Sequence, residues 1–144
     1  MTNGFMLVCR DASAPAVVSN LLLAMEANKS GLRTGVLFTE EAVVAMCQGV
    51  FDWPRQLRKQ PLRLAMADNA AALGITTMGG KGEARQIDVR QFVTRAAEAG
   101  VPLYASAIWL RLTGLQDKLP TGITVLDMAA AVEMLGQSRT APTA

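Results

Sequence analysis

Short apolar segments alternate along the chain with longer segments in which apolar residues recur at helical spacing. The apolar segments are residues 5–9, 35–38, 101–105 and 123–126. Segments of this length, bounded by polar or glycine positions, are typical of strands buried on both faces of a parallel sheet. Strand and helix patterns alternate four times. The alternation predicts an α/β domain with an open, doubly wound parallel sheet and helices on both faces.

Polar residues and glycines indicate where the helices begin and end. Side chains that can cap a helix N-terminus precede four apolar-periodic segments, at Ser13, Thr39, Asp88 and Asp127. Glycines suited to a helix C-terminus follow the segments. They are Gly31, Gly49, Gly74, Gly100, Gly114 and Gly136.

Two parts of the chain lack the regular alternation. Within residues 50–86 the spacing predicts one helix over 62–73 and a loop at 78–82, and the rest of that segment has no clear pattern. Residues 137–144 are small and polar, and we expect them to form a flexible C-terminal tail. The predicted domain therefore covers residues 1–136.

Composition narrows the class of protein. Hydrophobic residues make up 51% and charged residues 18% of the 144 residues. A membrane span needs about 20 nearly uninterrupted apolar residues, and Asn20, Glu26 and Lys29 interrupt the longest candidate. A sheet buried on both faces accounts for the apolar excess instead. Residues 1–10 do not resemble a signal peptide and two cysteines make no disulfide framework, so we expect a cytoplasmic protein without a membrane segment.

Several kinds of chemistry are excluded by residue type. The chain has no histidine, which removes histidine-based triads and histidine metal ligands. Two distant cysteines cannot complete a structural zinc site. A net charge of +2 without a basic stripe gives no case for nucleic acid. We therefore expect no metal, no cofactor and no nucleic-acid partner.

The predicted sheet places a group of polar residues at one edge. In open parallel sheets, ligands bind beyond the carboxyl ends of the strands, where helix N-termini can hold an anion. Cys9 and Ser106 lie at such strand ends. The candidate ligand-binding residues beside them are Arg10, Asp11, Thr39, Glu40, Ala107 and Asp127.

Three further features have ordinary structural interpretations. The basic cluster of Arg55, Arg58, Lys59 and Arg63 is interpreted as a solvated helix face. The glycine-rich run at 79–82 lacks the P-loop spacing and is interpreted as a mobile surface loop. The two tryptophans, Trp53 and Trp109, belong to a subunit interface or to the core, and the sequence leaves this open.

The third strand and the residues after it carry a family resemblance. The segments Gly100–Ser106, Leu110–Leu115 and Gly122–Val125, the last leading into an alanine-rich helix, resemble the DsrE/DsrF-like family of sulfur-relay proteins. The Met78–Gly82 loop before the Asp88 helix is similar to the subgroup with a long central insertion. The resemblance runs from the first strand to the last helix.

The resemblance implies a three-layer flavodoxin-like fold, homo-oligomers such as trimers or hexamers, and a role in sulfur transfer. In active members a cysteine at the end of this strand carries a persulfide, and this chain has Ser106 there. A hydroxyl cannot hold a sulfane sulfur, because the carrier bond joins two sulfur atoms. The resemblance therefore implies a non-catalytic subunit or a binding partner of other sulfur-relay proteins, and whether any enzyme activity remains is left open.

Two alternatives remain open from the residues alone. Cys9 could replace the missing carrier cysteine, since Arg10 and nearby helix N-termini lower a thiol pKa. The interpretation that the residue type favours is a buried strand cysteine. The chain could instead be a small-ligand or nucleotide-binding module at the carboxyl edge. Ser106 itself is interpreted as a helix cap, because no histidine or G-x-S-x-G spacing activates it. Cys47 is assigned to the core or to a subunit interface.

Overall fold

The computed structural model describes residues 4–142, and these residues form a parallel sheet with helices on both faces. In chain order the elements are β1 (Phe5–Cys9), α1 (Ala14–Lys29), β2 (Thr34–Phe38), α2 (Glu41–Gln48), α3 (Arg55–Arg58), α4 (Gln60–Ala70), a 3₁₀ turn (Ala71–Leu73), β3 (Thr77–Met78), β4 (Gln86–Ile87), α5 (Val89–Glu98), β5 (Leu103–Ser106), α6 (Ala107–Thr113), a 3₁₀ turn (Gln116–Lys118), β6 (Ile123–Leu126), α7 (Met128–Gln137) and β7 (Arg139–Pro142).

The central sheet has the strand order β6-β5-β2-β1-β7, and every pair in it is parallel. The four strands predicted from sequence are confirmed, with ends shifted by no more than two residues. The α/β class and the open, flavodoxin-like parallel sheet are confirmed with them. No helix within residues 4–142 is both long enough and apolar enough to cross a lipid bilayer.

The strand order determines which face each helix covers. From β1 to β6 the chain moves across the sheet in one direction, so right-handed crossovers place their helices on the same face. The chain then returns past the whole sheet to β7, which places α7 on the opposite face. Packing agrees, because buried residues of α1, α2, α5 and α6 share one core cluster while α7 packs against a second, smaller one.

The two faces are buried to very different extents. Successive side chains of a strand point to opposite faces, so Leu7 and Phe38 belong to the large core and Met6 and Leu37 to the small one. The large core contains most of the fully buried side chains, among them Phe38 and Phe92, both without solvent exposure. The small core has only three buried residues within the described part of the chain, the third being Leu126. The α7 face is therefore the thinner layer of the molecule.

The seventh strand corrects the prediction of a flexible tail over residues 137–144. Gln137 ends α7, and residues 139–142 form β7, which pairs in parallel with β1 from Phe5 to Val8. Residues 143–144 lie outside the described residues. The small and polar residues of this segment have no strand pattern of their own. They form a strand because the otherwise unpaired edge of β1 offers hydrogen-bonding partners, and a local sequence pattern does not show such a partner.

Residues 50–87 form a compact insertion between α2 and α5. The helix predicted over 62–73 is confirmed as α4 followed by a 3₁₀ turn, and Gly74 closes it with a φ of 75°. Of the predicted loop at 78–82, Met78 belongs to β3, and residues 79–82 lie in the connection between β3 and β4, which form a short antiparallel hairpin. The Arg85 guanidinium pairs with both carboxylate oxygens of Asp68 at 2.6 and 2.9 Å, which joins the hairpin to α4.

Candidate functional site

The carboxyl edge of the sheet brings together the residues predicted for the site. Cys9 is level with Phe38, and Phe38 is level with Ala105. The residues that follow β1, β2 and β5 therefore lie at one edge, in the order of the strands. Backbone hydrogen bonds join the neighbouring turns: the Thr39 amide donates to the Cys9 carbonyl and the Ala42 amide to the Arg10 carbonyl, both at 3.0 Å.

Ser106 is the last residue of β5 and the N-cap residue of α6, and it is half-buried. By strand alternation its side chain lies on the α7 face, opposite Leu126 in the register. The predicted capping role is not seen, because the hydroxyl makes no capping hydrogen bond to α6. The Ser106 hydroxyl is therefore not used to cap the N-terminus of α6.

Cys9 is completely buried in the large core. Its Sγ lies 3.9 Å from the Asp11 carbonyl oxygen. Burial, reinforced by the negative charge of Asp11, raises the pKa of the Cys9 thiol from its ordinary value of 9.0 to about 11, although a hydrogen bond from Asn20 acts in the other direction. The thiol is then almost entirely protonated at neutral pH, which favours the buried-cysteine interpretation over a carrier role.

Cys47 belongs to the same core and is also buried. Burial raises the pKa of its thiol, and the positive charge of Arg90 partly opposes this. The assignment of Cys47 to the core is confirmed. Neither cysteine combines solvent access with a lowered pKa, the two properties that make a thiol reactive.

Glu40, in the turn between β2 and α2, has an unusual backbone conformation. Its φ of 55° and ψ of −130° make it the only non-glycine residue with a positive φ in the described part of the chain. The prediction that Thr39 caps α2 is wrong: Glu40 is the N-cap residue, and its side chain makes no capping bond. Such a conformation costs about 1–3 kcal/mol and persists only where surrounding structure enforces it. The backbone of Glu40 is thereby fixed at the edge, and its side chain is exposed.

The other predicted residues differ in their solvent exposure and in whether their side chains already make hydrogen bonds. Arg10 and Asp11 are exposed and follow β1 directly. Ala107 is half-buried at the start of α6, where only its backbone could bind a ligand. Asp127 is confirmed as a helix cap, because its carboxylate accepts a hydrogen bond from the Ala130 amide at 2.7 Å. Among residues 4–142, no group of three or more histidine, cysteine or acidic side chains could hold a metal ion.

Two sizeable cavities are lined by residues other than those predicted for this edge. One of about 500 Å³ lies between α7 and the amino ends of the strands, and Arg33, Tyr104 and Met134 are among the residues that line it. The other, about 440 Å³, lies in the insertion beside Trp53 and Arg58. Sequence reasoning missed both, because each cavity forms between segments far apart in the chain. The one available signal was the basic cluster next to a tryptophan.

Comparison with known proteins gives no family assignment. No protein-family model matches the chain, and a search of curated proteins found no significant match.

The buried Cys9 thiol predicts a stability loss at high pH. Below about pH 9 the thiol is protonated in both folded and unfolded chains, so its contribution to stability is fully present. Between pH 9 and about 11 the unfolded chain loses the proton while the folded chain keeps it, and stability falls by about 2–3 kcal/mol. Urea unfolding across this range should show a shallower decline for Cys9→Ala than for the wild type. Cys47→Ala should keep the Cys9 contribution, and equal slopes for wild type and Cys9→Ala would contradict the assignment.

The strained turn predicts an unusual stabilising substitution. Glu40→Gly should raise the free energy of unfolding by about 1 kcal/mol relative to Glu40→Ala, because glycine adopts a positive φ without steric cost. Glu40→Ala removes the same carboxylate but keeps the Cβ and hence the strain. Chemical denaturation of the two variants makes the comparison. If the glycine variant is no more stable than the alanine variant, the turn is not strained.

Proposed function

We propose that this chain is a non-catalytic, DsrE-like protein of intracellular sulfur metabolism that acts as a subunit or binding partner of sulfur-relay proteins. The position of Ser106 is the main support for this proposal. It ends a central parallel strand and begins a helix, its side chain is half-buried, and its hydroxyl does not cap that helix. A cysteine at this point would carry sulfur, and a serine cannot.

The thiols elsewhere in the chain support a non-catalytic role. A persulfide carrier must present a thiolate to its donor. Cys9 is without solvent exposure and its pKa is raised to about 11, while Cys47 is buried in the core. The alternative in which Cys9 replaces the carrier cysteine therefore requires a local opening of the sheet, whereas a binding role requires none.

The carboxyl edge offers a polar surface on which a partner could dock. Arg10 and Asp11 follow β1, Glu40 follows β2, and all three are exposed. The strained turn fixes the backbone of Glu40, so little order is lost when a partner binds there. In this proposal the chain contributes recognition at the edge, and the partner contributes the sulfur-carrying cysteine.

Restoring a thiol at position 106 tests the assignment of the site. Ser106→Cys should gain one sulfane sulfur when incubated with a persulfide donor, as measured by intact mass, because the new thiol can form the sulfur–sulfur bond that a hydroxyl cannot. The substitution adds little volume to a half-buried position, so the fold should be retained. The wild type and Ser106→Ala should gain none, since Cys9 and Cys47 are buried.

Two outcomes would contradict the proposal. If the Ser106→Cys variant folds correctly but takes up no sulfur, position 106 is not equivalent to a carrier site. Sulfur uptake by the wild type that Cys9→Ala abolishes would instead establish Cys9 as the carrier.

The proposal includes a homo-oligomer, such as a trimer or hexamer. Strand β6 forms one edge of the sheet, and Val125 on it is 50% exposed. Met128 and Val132, four residues apart on one side of α7, are 64% and 66% exposed. By strand register Val125 belongs to the face opposite α7, so the proposed interface is the outer side of α7 that carries Met128 and Val132. Neighbouring exposed apolar side chains are typical of a surface that a partner covers, and a second copy of the chain is the occupant proposed here.

Val132→Glu should shift the assembly toward monomer, because it places a charge in the proposed interface. Val50→Glu is the matched control, since Val50 has the same 66% exposure but lies in the loop after α2. Light scattering over a range of concentrations measures the mass of each. A monomeric wild type, or equal dissociation by both variants, would refute the interface.

A further inference from the structure

The insertion forms a half-open cavity whose size suits a small molecule. Its volume of about 440 Å³ falls within the range of about 300–1,000 Å³ that is usual for ligand pockets. The walls come from the consecutive helices α3 and α4 and from the strand β4, which lies further along the chain and packs against α4. None of these elements contributes to the carboxyl edge proposed above as the sulfur-relay site.

The lining of this cavity has two chemically different parts. One part is apolar, formed by Trp53, Leu57, Met66 and Ile87. The other part carries two guanidinium groups, those of Arg58 and Arg63, and no acidic residue of the described chain lines the cavity. The acidic residue of α4, Asp68, is already paired with Arg85.

The two arginines have unused donors. Arg63 donates from Nη1 to the Arg85 carbonyl at 2.8 Å, which uses one of its five N–H groups and holds the side chain in place. Arg58 makes no ion pair or side-chain hydrogen bond within residues 4–142. Two positive groups at one cavity, without a compensating carboxylate, favour an anion.

The cavity is held in shape by bonds outside it. The Asp52 amide donates to the Ala12 carbonyl at 2.7 Å, and the Ala14 amide donates to the Asp52 carbonyl at 2.8 Å. These bonds anchor the residue before Trp53 to the loop that follows β1. The pairing of Arg85 with Asp68 joins the hairpin to α4 on the other side. A site with fixed walls loses little freedom when it binds.

We propose that this cavity binds a small organic anion with a flat apolar body and one carboxylate, sulfonate or phosphate group. The apolar body would lie against Trp53, and the acidic group would accept hydrogen bonds from Arg58 and Arg63. The basic cluster is then more than a solvated helix face. The inference does not depend on the sulfur-relay proposal, because it uses a different set of residues.

Heteronuclear NMR with naphthoate as the probe tests the site. The chain has only two tryptophans, so Trp109→Phe assigns the two indole N–H signals. Naphthoate should shift the Trp53 signal saturably and leave the Trp109 signal in place, because Trp53 lines the cavity and Trp109 does not. The titration also yields the dissociation constant.

Two comparisons identify the recognised charge. Arg58→Gln should weaken naphthoate binding about tenfold, the usual effect of losing a hydrogen bond to a charged group. Arg55→Gln is the matched control: it removes the same charge from the same helix, but Arg55 does not line the cavity. Neutral naphthamide should bind the wild type about tenfold more weakly than naphthoate does.

The proposal is overturned by any of three results. The first is the absence of a saturable shift of the Trp53 signal. The second is an equal loss of affinity in Arg55→Gln and Arg58→Gln, which would indicate general electrostatic attraction. The third is naphthamide binding as tightly as naphthoate, which would show an apolar cavity that does not recognise charge. Thermal melting of each variant confirms that the fold is retained.

Discussion

Parallel pairing of the strands is the constraint on which the rest of this structure depends. Each parallel strand must be followed by a crossover that leaves the plane of the sheet, and crossovers have one preferred hand. Because β1, β2, β5 and β6 are laid down in one direction, their helices collect on a single face. Only the return from β6 to β7 places a helix, α7, on the other face. The large core and the thin second layer are both consequences of this order.

The uneven layers determine where the molecule has open space and exposed apolar surface. A single helix cannot cover five strands, so a cavity of about 500 Å³ remains between α7 and the amino ends of the strands. On the outer side of α7, Met128 and Val132 stay exposed. On the opposite face, four helices bury Phe38, Phe92 and Cys9 completely. The same topology that protects one cysteine therefore leaves a surface suited to association.

The carboxyl edge and the insertion have different physical characters. At the edge, strand register brings polar residues into one row, and the strained backbone of Glu40 fixes part of that row. In the insertion, two helices and a hairpin form a half-open cavity lined by a tryptophan and two arginines. An exposed edge is suited to a macromolecular partner, whereas a concave cavity is suited to a small one.

The sequence by itself determined the four core strands, the helices other than α3, and the caps at Ser13, Asp88 and Asp127, because these follow from local spacing and from side chains within three residues of the helix start. It also determined that Ser106 ends a strand. Tertiary structure alone decided the burial of Cys9, the pairing of β7 with β1, and the meeting of Trp53 and Arg63 with the strand β4 at one cavity. Each of these depends on segments distant in the chain, and no local pattern encodes which edge or wall a segment will meet.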